Sequence, residues 1–114
     1  MLILIFLASS RCGESVIVAV TELVTEFAGT YIYQDEYNDG PHYSQENGNG
    51  HIYLSEPGQN GKGYWLISGS FGSPYSWFYS LKSDCPSNTP IWYGWDGWQY
   101  SKFKTFTVSI DNGF

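Results

Sequence analysis

The chain has 114 residues, enough for one domain with a core of its own. Apolar residues make up 42 % and aromatic residues alone 19 %, with ten Tyr and five Trp, a ring content that argues against a disordered chain and exceeds what packing usually takes. Eleven Asp and Glu against five Lys and Arg give a formal charge of −6, and the basic residues form no dense run, so nucleic acid and anionic membrane surfaces are disfavoured as partners.

Residues 1–14 form an apolar N-terminal segment. Leu2 to Ala8 is an apolar run of seven residues, followed by small Ser9 and Ser10 and preceded by no Lys or Arg. It reads either as a short signal segment of a secreted protein or as a buried strand. It is too short to span a bilayer as a helix, and no other stretch is long and apolar enough. Cys12 and Cys85 are too few for a disulfide scaffold and stand in no metal-ligand spacing. They are two free thiols, or a pair if the chain is secreted and uncleaved; removal of a leader near Cys12 would leave Cys85 alone.

From residue 15 to 114, runs of four to nine residues rich in Val, Ile, Thr, Tyr, Phe and Trp alternate with Gly-, Asn- and Pro-rich turns. That pattern predicts an all-β domain of seven to nine short antiparallel strands, arranged as a curved sheet, a small barrel or a sandwich. The strands fall near 15–22, 28–34, 41–46, 50–55, 63–69, 75–81, 91–95, 98–103 and 105–110. The first is apolar on both faces, as in a covered strand. Thr21 to Gly29 is the one place where a helix of about two turns competes, because Leu23, Val24 and Phe27 share a helical face. The last strand shows period two, with Phe106, Val108 and Ile110 opposite Thr105, Thr107 and Ser109.

The run Asp35 to Glu46 raises a calcium question. Asp35, Asp39, Gly40 and Glu46 occupy positions 1, 5, 6 and 12 of an EF-hand loop, but Tyr37 stands at position 3 and Pro41 follows the glycine. The flanks read as strands, so Asn38-Asp39-Gly40 is expected to be a hairpin turn, and no metal site is assigned. The two histidines, His42 and His51, can face each other across the next hairpin with Glu46 nearby. Neither HxH nor HExxH spacing is present, no Gly-x-Ser-x-Gly elbow marks a nucleophile, and Gly61-Lys62-Gly63 lacks the rest of a phosphate loop. No catalytic residue and no cofactor is assigned.

The aromatic clusters carry the functional expectation. In Ile91–Tyr100 (IWYGWDGWQY), a two-residue turn at Asp96-Gly97 would pair Trp95 with Trp98, Tyr93 with Tyr100 and Ile91 with Lys102. Tyr93, Trp95, Trp98 and Tyr100 then share one face, and Trp92 stands on the other. If Trp92 is buried, the four-ring face is the one presented to solvent. Tyr75 and Trp77 form a second aromatic group. Flat rings with polar edges suit the apolar faces of sugars or a protein surface, so the six residues Tyr75, Trp77, Tyr93, Trp95, Trp98 and Tyr100 are the candidate binding residues of a non-catalytic module acting outside the cell. The alternative is a structural or self-association module whose rings are core.

The succession Gly29-Thr30-Tyr31, Pro41-His42-Tyr43 with Glu46-Asn47-Gly48, His51-Ile52-Tyr53-Leu54, Tyr64-Trp65-Leu66-Ile67-Ser68, Cys85-Pro86 and Trp92 resembles a small β module that recurs in multidomain proteins of protists and invertebrates. The resemblance covers about residues 16–110. It implies a compact antiparallel fold used as an appended unit, and brings no catalytic residues. Asp39 before Gly40-Pro41 departs from the commoner Gly-Arg-Pro, which removes any basic residue from that turn.

Overall fold

Alternating side chains and frequent turn residues leave the chain one economical way to satisfy its backbone, an antiparallel meander. The computed structural model describes residues 11–20, 25–56, 63–81, 83–89, 91–95, 99–103 and 106–111. Among these described residues nine strands form: β1 (Ser15–Ala19), β2 (Gly29–Tyr37), β3 (Gly40–Gln45), β4 (His51–Leu54), β5 (Tyr64–Ser68), β6 (Phe78–Leu81), β7 (Trp92–Trp95), β8 (Tyr100–Phe103) and β9 (Thr107–Ile110). All nine lie where the sequence pattern places strands. Pro86–Asn88 adds one 3₁₀ turn, and among the described residues of the helix-competent stretch Thr25 to Ala28 makes a simple turn closed by Ala28 N–H to Thr25 O at 3.0 Å. The remainder of that stretch, 21–24, lies outside the described residues, as do the leader run 1–10, the turn 57–61, Lys62, the turn 96–97, Trp98 and Thr105.

The strands make one antiparallel sheet in the order β8-β7-β6-β5-β4-β3-β2-β1-β9. β8 and β9 are its two edges, yet only residues 104–106 connect them. Four Cα steps span at most about 15 Å, so the sheet must curl until its edges approach, and it forms a half-barrel. β1, apolar on both faces, lies inside the sheet between β2 and β9.

The inner face is the core. Val16, Val18, Tyr31, Tyr43, Ile52, Leu54, Trp65, Ile67, Phe78 and Trp92 are buried there, with Phe27, Phe106 and Val108 packed among them. Removing each such side chain from water stabilises the fold by roughly 2 kcal/mol before chain entropy is charged. The polar tips are placed as burial demands: Tyr31 Oη donates to Phe27 O at 2.7 Å, Tyr43 Oη to Gly13 O at 2.7 Å and Trp65 Nε1 to Ser83 O at 3.1 Å. Trp92 Nε1 is buried with no hydrogen-bond partner among the described residues. Burial raises the Tyr31 phenol above its ordinary pKa. On β9 the expected alternation holds for Phe106 and Val108, which are buried, but Ile110 at the strand's end is exposed.

Two local features set what the outer face carries. Asn38 (φ 53°) and Asp39 (φ 65°) both adopt the left-handed conformation of a type I′ turn, so the 35–46 run is a hairpin. A bulge then interrupts β2: Tyr33 pairs with Tyr43, but Asp35 pairs with His42. Without the extra residue, Gln34 would oppose His42 and Asp35 would share the inward parity of Tyr33. The bulge turns the carboxylate outward.

The hairpin at 91–103 differs from expectation in register. Trp95 pairs with Tyr100 and Tyr93 with Lys102, not Trp95 with Trp98 and Tyr93 with Tyr100. The connection is thus four residues, 96–99, rather than two. A slip of two residues keeps every side chain on its face, so sequence parity alone does not detect it. The observed register sets Tyr100 beside Trp95 and lets its hydroxyl donate to Ser76 O at 2.6 Å.

Cys12 and Cys85 are joined in a disulfide across 73 residues of chain. It ties the strand-leading segment before β1 to the 3₁₀ turn, and Arg11 beside it donates to Asp39 O and Asp84 O. Of the readings open for these cysteines, two free thiols is the one the structure replaces.

Candidate functional site

The outer face carries two aromatic groupings, divided by the loop 69–76 that crosses it. On β5 to β8 the outward-facing rings stay open to water. Tyr79 lies against Tyr64 at 5.7 Å, Tyr93 at 5.1 Å and Tyr100 at 4.9 Å, and Trp95 lies against Tyr100 at 5.2 Å. Crowding by these neighbours and partial burial push the Tyr79 phenol pKa up, burial being the larger cause.

Beside this array is a cleft of about 670 Å³, lined by Ser68, Ser70, Ser73, Tyr75, Ser76, Trp77, Trp95 and Tyr100 together with Gly69. Tyr75, at 80 % exposure, stands at its rim. Trp77 packs one edge on Phe27 of the core, with centroids 6.1 Å apart, and is held by its backbone N–H to Ile67 O at 3.0 Å. Trp95 N–H in turn donates to Trp77 O at 2.8 Å, so the backbone that carries the two indoles is tied to the sheet. The expected strand at 75–81 begins only at Phe78; Tyr75 to Trp77 are an irregular lead-in that still follows the sheet.

Trp92 is fully buried, at 0 % exposure, so the ring face opposite to it meets solvent. Of the six candidate binding residues, Tyr75, Trp77, Trp95 and Tyr100 line the one cleft. Tyr93 sits on the same face outside the lining, stacked on Tyr79, and Trp98 lies outside the described residues. The serines of the wall, Ser68, Ser70, Ser73 and Ser76, were not legible as site residues. Their only signal was a run of small polar residues between two aromatic strands.

The second grouping lies over β2 to β4. Asp35 Oδ1 is 2.8 Å from His42 Nδ1, and His42 Nε2 is 3.0 Å from His51 Nδ1, with Ser44 Oγ at 3.3 Å from the same nitrogen. The expected histidine pair forms, but its acid is Asp35 and not Glu46, because the β2 bulge delivers Asp35 opposite His42. Phe71, from the loop, stacks flat on His42 with centroids 3.8 Å apart and planes at 3°. Tyr53 and Tyr37 close around Phe71 at 5.3 Å and 4.8 Å. His42 is thereby buried while His51 stays half-buried, and desolvation, then the charge of His42, lowers the pKa of His51 below 6.5. The aromatic cleft includes neither histidine. Among the described residues no three His, Cys, Asp or Glu side chains converge as a metal site would require.

The fold and cleft together describe a small β module with an aromatic-walled groove. No family model, curated protein or solved structure matches this chain. Among the described residues no helix is long and apolar enough to cross a membrane.

Proposed function

We propose that this protein is a non-catalytic binding module that takes carbohydrate in the cleft walled by Tyr75, Trp77, Trp95 and Tyr100. One observation carries the reading: among the described residues the lining combines indole and phenol rings with four serines and contains no Asp, Glu, Lys, Arg or His. Sugars present apolar C–H faces to flat rings and hydroxyls to small polar groups, and a neutral wall suits an uncharged glycan. Both indoles pack on a neighbouring ring, Trp77 on Phe27 and Trp95 on Tyr100, so less conformational entropy is lost when a ligand stacks on them. A disulfide fits an oxidising compartment, which supports action outside the cell. The resemblance to an appended β module fits the same use.

Tryptophan fluorescence against a panel of neutral oligosaccharides tests the proposal. Binding should alter the emission, and Trp77→Ala or Trp95→Ala should weaken it by about tenfold or more, as for a central aromatic anchor. No response to any glycan at millimolar concentration would end the carbohydrate reading. Self-association is favoured by a different observation, the exposed Leu81, Ile91 and Tyr64 near the same face. Light scattering at high concentration decides it, and a strict monomer counts against it.

A further inference from the structure

We propose that His42 and His51 form a proton-operated latch on the loop 69–76: while the pair shares one proton it seats Phe71 and keeps the cleft wall in place, and when both rings are protonated it releases Phe71 and remodels that wall. The consequence for ligand rests on the cleft reading above; the latch itself does not.

The proton count makes the device. Asp35 fixes a proton on His42 Nδ1, 2.8 Å away. His42 Nε2 and His51 Nδ1 face each other at 3.0 Å, so one of them must donate and the other accept. A neutral pair satisfies this, with His51 Nδ1–H donating to His42 Nε2. A pair with one added proton satisfies it too, because the charge can sit on either ring while one facing nitrogen keeps its lone pair. With two added protons both facing nitrogens carry hydrogen, the bond is lost, and two cations are left side by side in a site that burial already makes unfavourable for charge.

The surroundings offer little relief. Asp35 on β2 is the one carboxylate in hydrogen-bond contact with the pair among the described residues, and it balances a single added charge. β3 contributes Ser44, β5 contributes Ser68 as the cross-strand neighbour of His51, and the loop contributes Phe71. Tyr53 and Tyr37, behind Phe71, are the other titratable groups, and burial pushes the Tyr53 phenol up, so it stays neutral throughout the acidic range. Desolvation, then the charge of His42, lowers the proton affinity of His51, so the second proton is taken up only on acidification.

The link to the cleft is short. Phe71 lies flat on His42, and Ser70 before it and Ser73 two residues after it accept at their carbonyls from Tyr53 Oη at 3.1 and 2.7 Å. Gly72, at φ +85°, supplies the turn between them. Ser68, opposite His51 in the ladder, also bonds Ser70. Ser68, Ser70 and Ser73 are all cleft wall. Displacing Phe71 therefore moves residues that would touch a ligand.

The test is an NMR titration of the free protein from about pH 7.5 to 5, following both histidine rings and the amides of Gly69 to Ser76, with acrylamide quenching of tryptophan emission in parallel. The amides of Phe71 and Gly72 should shift with the second histidine proton, and quenching should rise by roughly twofold as Trp77 and Trp95 lose their wall. In His51→Asn both responses at that midpoint should vanish. Stationary loop amides while both rings titrate would overturn the latch, as would an unchanged loop response in His51→Asn; if that variant does not fold, the wild-type titration alone decides. A loop that moves on cue in a protein that binds no glycan at either pH upholds the latch and removes the carbohydrate reading.

Discussion

Replacing Cys12 and Cys85 together by serine should lower the unfolding free energy by about 4 kcal/mol. The disulfide closes 73 residues of chain, and the entropy it removes from the unfolded ensemble, from the logarithm of that loop length, comes to about 15 cal/mol/K. The double replacement avoids leaving one reactive thiol in the core. It also preserves local contacts, because a serine at position 12 can donate to Asp84 O, the acceptor 3.2 Å from Cys12 Sγ. Urea unfolding followed by tryptophan emission is the assay, run on oxidised protein, on protein in reductant and on the variant. The midpoint should fall by roughly 2–3 M in the last two, given a slope near that of a domain this size. Alkylation of the denatured, unreduced protein should detect no free thiol. Equal midpoints in all three samples, or two thiols in the purified oxidised chain, would refute the reasoning.

Three other outcomes follow from packing and charge. Gly40→Ala should cost about 1–3 kcal/mol in urea unfolding, because the added methyl runs into Leu54 and within 3.2 Å of Trp65. Tyr100→Phe keeps the ring but removes the donor to Ser76 O; it should cost about 0.5–1.5 kcal/mol by the same assay and loosen the cleft wall. His51 has a folded pKa below its unfolded value of 6.5, so the unfolded chain binds the proton first. The stability it contributes is present above pH 6.5 and is lost as pH falls from 6.5 through the folded value; the stability difference between wild type and His51→Asn, measured across that window, should shrink on acidification.

The strand pattern was legible because side-chain period two and turn chemistry are local. Phe106, Val108 and the Asn38-Asp39 turn could be placed from their neighbours alone. The sorting of Tyr93, Trp95 and Tyr100 from Trp92 was legible for the same reason, and parity survived even though the register did not. The register needed Tyr100 to find Ser76, a residue 24 positions away. The histidine pair was visible as two strand residues near one turn, but its acid was not, because a bulge at Gln34 has no fixed sequence mark and decides whether Asp35 points in or out.

What the sequence determined by itself, then, is the all-β class, the approximate place of the strands, and the sorting of Tyr93, Trp95 and Tyr100 from Trp92, since each depends on residues within a few positions of one another. Tertiary structure alone decided that the sheet curls, that Cys12 meets Cys85, that the loop 69–76 lays Phe71 on His42, and that its serines complete the cleft begun by Trp77 and Trp95. These are contacts between segments far apart in the chain, where the free energy comes from burying apolar surface together and no local preference announces the partner.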